Sequence, residues 1–599
     1  MERNQPTRHS APRVFPPGGG LEAIACSIAA LVYLRTLTFG FVYDDVLQVF
    51  QNPALREWRY LPQYFTSHLL AGLYPNAGGN YYRPLLMLWL RLNYLAFGPV
   101  PAGWHATTVF CHVLATYLVF RVAQAVSGER TVAFMAALLF AVHPAHIENV
   151  AWISGVSDSL MACLLLGSLL AFFAGRGTES KSKAAGPTIY SLVLFACALL
   201  TKETAVVLPA LVFVWVLAES QTTATGQSAM RLAWFAMRAA APYAVVALVY
   251  LAVRSWALHG FSHPVISLSW AHMFLTWPSV LWFYVRHLLL PATVDEFYPL
   301  SYVEHATAHA FWLPLAMLAI VLVAGWFWIR WLSRSGAIAR RAAWIAVALI
   351  VMPLLPVLDL RSLTIGDIAH DRYLYLPSIG FALLLALSLR ALERHPSKRR
   401  RLSLSLAGVG VIAVWFMVLT VAQQSQWAND IQLYTRGVAS SPDNLTVRDN
   451  LANALFAANQ PARAVPVYMD VLQRNPNFWP ANYNLGFTYY KVGSYAAAEE
   501  FLRRAITIDG SDADQYIYLA LAELQLKKFA DAGEAARQAI ARNPQARGYH
   551  FVLGLIDESE GDAKAAIEAF QSELAQHPDS APATAELQKL QTTAANPRP

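Results

Sequence analysis

Phe41-Val42-Tyr43-Asp44-Asp45 closes the first apolar run of the chain, residues 21–42. A run of that length can cross a bilayer. Two adjacent carboxylates at its membrane face are costly unless they have a task. A solvated acidic turn that orients the first helix is the plain alternative, and the rest of the chain decides between the two.

The 599 residues are 56% hydrophobic, 12% aromatic and only 14% charged. Soluble domains carry about 25% charge, so most of this chain belongs in lipid. The net charge of +7 is spread as short basic runs between apolar spans, which is a topology signal and not a nucleic-acid face. Cys26, Cys111, Cys163 and Cys197 lie in apolar stretches without metal-ligand spacing, so they read as small buried residues. Residues 1–20 are basic and rich in Pro and Gly, and read as a cytoplasmic tail ahead of a retained anchor.

Further apolar runs lie near 104–126, 132–147, 158–174, 188–200, 204–218, 239–258, 311–330, 342–358, 373–391 and 402–421, for about eleven spans in all. With the N-terminus inside, three basic groups all fall on the cytoplasmic side: Arg176 with Lys181 and Lys183, Arg330 to Arg341, and Arg394 to Arg401. Residues 43–103, 143–157, 201–203, 259–310, 359–372 and everything after 421 are then outside. Parity returns both ends of Phe274–Leu290 to the outer side, so that segment reads as a helix lying along the membrane interface or dipping partway in, as does Pro84–Phe97.

Pro442, Pro476, Gly510, Pro544 and Pro578 recur in steps of 34 residues, the tetratricopeptide period. Leu451, Leu485, Leu519 and Leu553 share one position of that period, followed by Ala452, Gly486, Ala520 and Gly554. Ala464, Ala498, Ala532 and Ala566 share another. About four helix pairs over 443–580 stack into an α-solenoid whose concave face suits a peptide, or which acts as a rigid spacer. The expected architecture is all-α: a membrane domain over 21–425, a linker or first helix over 426–442, the repeats, and a disordered tail over 581–599.

The topology brings unusual polar groups to the outer face: Asp44 and Asp45, Tyr82-Arg83-Pro84, His143-Pro144 with His146 and Glu148, Lys202-Glu203, and Asp371-Arg372-Tyr373. Each alone has a plain reading. Lys202-Glu203 could be an ion pair at a helical hairpin, and Arg83 or Arg372 a snorkelling residue. The histidine spacing does not match a zinc helix, so no metal and no other cofactor is expected. Together the groups suit a sugar donor whose phosphate lies at headgroup depth. A departing phosphate needs cationic neutralisation, which Arg and Lys supply. The acceptor hydroxyl needs a base on the opposite side of the sugar ring. Asp44 is the preferred base, with Asp45 orienting the acceptor or a basic partner. Arg83, His143, Glu148, Lys202, Arg372 and Tyr375 are the expected donor-phosphate and substrate contacts.

The ordered set Tyr43-Asp44-Asp45, Tyr82-Arg83-Pro84-Leu85, His143-Pro144…Glu148, Lys202-Glu203 and Asp371-Arg372-Tyr373-Leu374-Tyr375-Leu376-Pro377, followed by tetratricopeptide repeats, resembles the transmembrane-and-tetratricopeptide-repeat O-mannosyltransferase family. The resemblance covers nearly the whole chain. It implies the GT-C fold and inverting transfer of mannose or another hexose from a polyprenyl phosphate to a protein hydroxyl on the outer face. The acidic pair would be the catalytic site, and the repeats would receive the acceptor. Few repeats and a short tail look bacterial, implying undecaprenyl phosphate, an inner membrane and repeats in the periplasm, with an endoplasmic-reticulum lumen as the alternative. Val156 stands where the family often has arginine; if that arginine binds the donor phosphate in the family, either another cation does so here or the donor differs. Transfer to a lipid or glycan acceptor is one competing reading. A non-enzymatic membrane scaffold displaying the repeats is the other.

Overall fold

The computed structural model describes residues 19–74, 79–176, 181–223, 228–261, 263, 266–363, 368–392 and 398–595. Most of the basic tail expected at 1–20 lies outside the described residues, as does Arg394. The described chain is helical without strands and divides into two compact units, Met1–Arg436 and Gly437–Pro599.

The first unit is a multi-pass membrane protein. Among the described residues, nine helices are long and apolar enough to cross a bilayer, from Leu21–Thr38 to Leu404–Ala428. In hydrocarbon every backbone N–H and C=O must be satisfied by the protein itself, and continuous apolar runs of this length do so within each segment as helices. The His309–Ser333 helix shows why lipid is required: Trp312, Leu313, Ile320, Leu322, Trp326 and Phe327 are all exposed, and only Pro314 and Leu332 are buried. A helix that is apolar all round and uncovered by protein is stable only against acyl chains. Val156–Arg176 and Asp371–Leu392 are the opposite case, mostly buried within the bundle's core.

The expected total of about eleven is reached only by counting two unlike elements. The run near 132–147 is a bent pair, Arg130–Ala141 and Pro144–Ala151, with 58° between the halves. The run near 188–200 is a short apolar helix, Ala185–Thr201, packed beside Val156–Arg176. The bend has a local cause. Pro144 opens the second half where its missing N–H is not needed. The His143 imidazole Nδ1 accepts from the N–H of Ala145 at 3.2 Å, and its Nε2 donates to the carbonyl of Leu288 at 3.1 Å. Phe274–Leu290 forms the Trp270–Leu289 helix, with Trp270 and Phe274 exposed and Phe283, Tyr284 and His287 buried.

Two sets of contacts lie at opposite ends of the spans. Arg130–Glu22 (3.0 Å), Arg176–Glu219 (2.5 Å) and Arg390–Glu129 (2.6 Å) join the segments expected inside. The segments expected outside join one another: Asp45 with Ser154, Arg83 with Glu203, Glu148 with Arg372. The parity derived from charge thus sorts the loops correctly into two groups.

The second unit holds the tetratricopeptide repeats, helix pairs running from Leu445–Ala457 with Pro461–Arg474 to Tyr549–Glu560 with Ala563–Gln576. The small residues at the repeated positions are explained by helix approach. Ala452, Ala464, Ala498, Ala520, Ala532 and Ala566 are fully buried. A Cβ on Gly486 would come within 2.8 Å of Leu502, and one on Gly554 within 2.5 Å of the Phe570 ring. The tail expected to be disordered from 581 instead continues as a helix, Ala581–Ala595. Its Leu587 and Leu590 pack on the Ala566–Phe570 face of the last pair, which would otherwise be left open.

Candidate functional site

Tyr43 is the backbone pivot of the acidic pair, with φ +56°. A bulky residue held in the left-handed region costs about 1–3 kcal/mol and persists only when its surroundings over-determine it. The turn sends the two carboxylates to different environments. Asp45 is fully buried. Its Oδ1 accepts from the Ser154 N–H (2.9 Å) and the Ser154 hydroxyl (2.6 Å), and its Oδ2 from the Val42 N–H (3.2 Å). Burial pushes its pKa up to about 7 against those three donors. Asp44 is half-buried, and its Oδ2 accepts from the Gln48 amide at 3.3 Å. The protein partners of Asp45 are neutral donors and not a basic side chain, and they pin the loop after the first span to the 152–155 turn.

Arg372 is the centre of the second group. The 3₁₀ turn Asp371–Leu374 opens its helix. The Arg372 N–H donates to Glu148 Oε2 (2.8 Å), and its guanidinium to Glu148 Oε1 (2.6 Å), with Glu296 Oε1 at 3.5 Å. The bend at His143-Pro144 is what delivers Glu148 to this point. The Arg372 guanidinium lies over the rings of Trp152 (5.6 Å) and Tyr373 (5.5 Å). Tyr373 also faces the Lys202 ammonium at 5.5 Å. Glu148, Glu296 and His370 each bring a donor atom within 4.8 Å of the others, and all three are buried. That set could hold a cation, and the Arg372 guanidinium already reaches two of its three members.

The other expected contacts divide. Arg83 makes a bidentate pair with Glu203 (2.6 and 3.0 Å) and lies over the Tyr81 ring. Burial works against its charge, but the Glu203 carboxylate more than offsets this and holds its pKa above the ordinary range. Lys202 does not pair with its neighbour Glu203. Its ammonium meets Asp158 at 2.5 Å, both side chains nearly sealed from solvent (3% and 5% exposed), so it is a structural ion pair. His143 and Tyr375 do not join the polar group. His143 caps the bend, and the Tyr375 hydroxyl lies 2.9 Å from His112 Nδ1 in a buried cluster with Phe140 and His146. Both are corrected from substrate contacts to core.

Asp295 and Glu296 were missed. They form a second acidic pair, directly after an apolar aromatic helix, in the same pattern as Asp44-Asp45. Asp295 Oδ1 accepts from the Glu296 N–H (2.9 Å), and Asp295 Oδ2 pairs with Arg436 at 3.0 Å. The repeated pattern was the available signal.

These features define a class: a multi-spanning helical membrane protein that gathers buried ion pairs and an acidic turn at one end and carries tetratricopeptide repeats. Models of the tetratricopeptide repeat match residues 455–524 and 519–581. The chain resembles the O-mannosyltransferase family named above over about four-fifths of its length. It is 26% identical over 522 residues to protein O-mannosyl-transferase TMTC1 of Homo sapiens, covering 80% of this chain and 58% of that one. It is 23% identical over 579 residues to TMTC3 of Mus musculus, covering 88% and 60%. With Tmtc1 of Drosophila melanogaster it shares 39% identity over 183 residues, 30% of this chain and 21% of the relative. The chain thus spans roughly three-fifths of the length of TMTC1 and TMTC3.

Proposed function

We propose that the protein is a membrane glycosyltransferase that moves mannose or another hexose from a polyprenyl phosphate to a hydroxyl of a protein acceptor, with inversion and without a metal ion. The carrying observation is the position of Trp152. Its ring lies 5.7 Å from that of Tyr43 and 5.6 Å from the Arg372 guanidinium, so the acidic turn and the principal cation flank one side chain.

In this reading Asp44 takes the proton of the acceptor hydroxyl as its oxygen bonds to the sugar C1, and the C1–O bond to phosphate breaks on the opposite face. The phosphate leaves as an anion and needs no acid, because Arg372, helped by Arg83, neutralises it. Arg372 is the better placed of the two. It is 17% exposed, is fixed by backbone and side chain to Glu148, and presents a planar fork suited to phosphate oxygens. Asp45 keeps the turn in place. The relatives named as protein O-mannosyl-transferases support a protein acceptor, and the repeats supply a surface for one. The basic runs support an N-terminus inside, with the repeats and the site on the extracytoplasmic face.

The test is transfer from a panel of radiolabelled polyprenyl-phosphate sugars to periplasmic or luminal protein extract by the full chain in membranes. Label reaching protein with wild type and not with Asp44→Asn supports the reading. Label reaching only lipid or glycan replaces the acceptor. No transfer from any donor favours the scaffold.

A further inference from the structure

Helix Asp430–Ser440 follows the last span, and its first two turns touch both acidic loops of the site. The Asp430 carboxylate accepts from the backbone N–H of Tyr43 at 2.8 Å, the residue whose left-handed backbone sets the direction of the turn carrying Asp44 and Asp45. Four residues on, and therefore on the same helix face, the Tyr434 ring lies edge-on to Tyr43 (6.4 Å) and stacks on Phe297 (6.0 Å, 28°). Arg436 pairs with Asp295 at 3.0 Å, and Asp295 in turn holds the N–H of Glu296. The turn leading into the helix adds backbone-level contacts. Gly40 N–H donates to the Ala428 carbonyl (3.1 Å), Gln423 accepts from the Val294 N–H (2.8 Å), and Gln426 donates to the Val294 carbonyl (3.3 Å).

We propose that this helix is the positioning strut of the transferase site, and that Asp430 is a positioning residue that sets the conformation of the Tyr43-Asp44 turn. The proposal rests on Asp44 being the base. Tyr43 occupies a region that L-residues avoid, so something must hold it there. An anionic acceptor on its own N–H does so directly, because a charge-assisted hydrogen bond is about twice as strong as a neutral one. Without it the turn relaxes toward right-handed or extended backbone, the Tyr43 ring leaves its place against Trp152 and the Asp44 carboxylate moves with it. The same helix holds Phe297 and Asp295, so the loops carrying Asp44 and Glu296 keep a fixed mutual position. The last span is thus followed at once by an element that completes the catalytic end, before the first repeat helix begins at Leu445.

The test uses full-length Asp430→Ala and Asp430→Asn beside wild type, with two readouts. The first is hydrogen exchange in the peptide covering residues 40–48, which does not depend on transfer. Asp430→Ala is expected to speed exchange of the Tyr43 amide at least tenfold while the 143–157 segment stays protected. Asp430→Asn, which keeps an acceptor oxygen, should restore most of the protection. The second is steady-state transfer: Asp430→Ala should lower kcat at least tenfold with donor KM within twofold, and Asp430→Asn should recover at least half of kcat. Unchanged exchange at 40–48 in Asp430→Ala overturns the strut. Faster exchange throughout the membrane unit also overturns it, because Asp430 would then serve only folding. Asp44→Asn run alongside separates the two ideas: full transfer by that variant removes the base assignment while leaving the exchange result to judge the strut.

Discussion

Asparagine substituted separately at Asp44 and at Asp45 should produce two different failures, because one carboxylate faces a half-buried space and the other is sealed. Asp44→Asn removes the proposed proton acceptor and keeps a side-chain oxygen to accept the 3.3 Å bond from Gln48. Loss of a general base lowers turnover about 10²- to 10⁴-fold, so kcat should fall at least about a hundredfold with no change in melting temperature. Asp45→Asn acts on stability. Its carboxylate has a pKa of about 7 in the fold against 3.8 when unperturbed, and a group raised in this way contributes stability that is full below the lower value. That contribution declines from about pH 4 and is lost as pH rises through about 7. The two values differ by 3.2, and at about 1.4 kcal/mol per pH unit the whole change is on the order of 4 kcal/mol. Asparagine does not titrate, but it turns an amide N–H₂ toward the Val42 or Ser154 N–H, leaving a buried donor unsatisfied at about 1–3 kcal/mol.

The assay is thermal unfolding of detergent-solubilised protein, followed by tryptophan fluorescence between pH 5 and pH 8. The stability advantage of wild type over Asp45→Asn should shrink by on the order of 3 kcal/mol across that range. A gap that is constant or widens with pH refutes the assignment of Asp45 as a buried carboxyl held against desolvation. A stability loss in Asp44→Asn, with turnover intact, would exchange the two roles.

Arg372→Ala should weaken donor binding about 10- to 150-fold, the equivalent of a charge-assisted hydrogen bond worth about 1.5–3 kcal/mol; unchanged donor affinity removes Arg372 from the phosphate site. Exhaustive chelation should leave transfer intact, since Arg372 already supplies positive charge to Glu148 and Glu296; loss that zinc, manganese or magnesium restores would reassign Glu148, Glu296 and His370 as metal ligands. Lys202→Met should destabilise by about 3–5 kcal/mol because it strands the Asp158 carboxylate. The double variant with Asp158→Leu should recover most of that stability in the same melting assay, and failure to recover would place Lys202 in function instead of structure.

The parts of the fold legible in the sequence are those encoded by local pattern. Apolar length gave the spans, alternating basic runs sorted the loops, and the 34-residue period located the helix pairs. The loops so grouped do meet, which brought Asp44, Arg83, Glu148 and Arg372 to one end. What each cation does there was not legible, because the deciding partner is distant along the chain: Glu203 lies 120 residues from Arg83, and Glu148 lies 224 from Arg372. Lys202 next to Glu203 invites a local pair, yet helix geometry sends the one to Asp158 and the other to Arg83. His143 and Tyr375 lie within the polar motifs along the chain but not in space. Their side chains turn into the bundle, where a bent helix needs a cap and a histidine needs a hydroxyl. The helical tail over 581–595 escaped notice because its polar composition hides the few leucines that cover the last repeat.

The ion pairs themselves weigh against a purely structural role for this end of the bundle. Arg83–Glu203 and Arg372–Glu148 both remove charge from water, with Glu296 adding a further buried carboxylate. A buried pair is commonly matched or exceeded in stability by well-packed apolar residues of the same volume, by about 1–4 kcal/mol. Such pairs at the opposite end would serve a scaffold equally well, but Arg130–Glu22, Arg176–Glu219 and Arg390–Glu129 there leave their arginines 35–43% exposed, where the desolvation cost is small. The asymmetry follows if one end must hold fixed charge in a dry space when a phosphate departs. There preorganised dipoles are worth far more than the same groups in water, and that gain falls to the transition state and not to the fold.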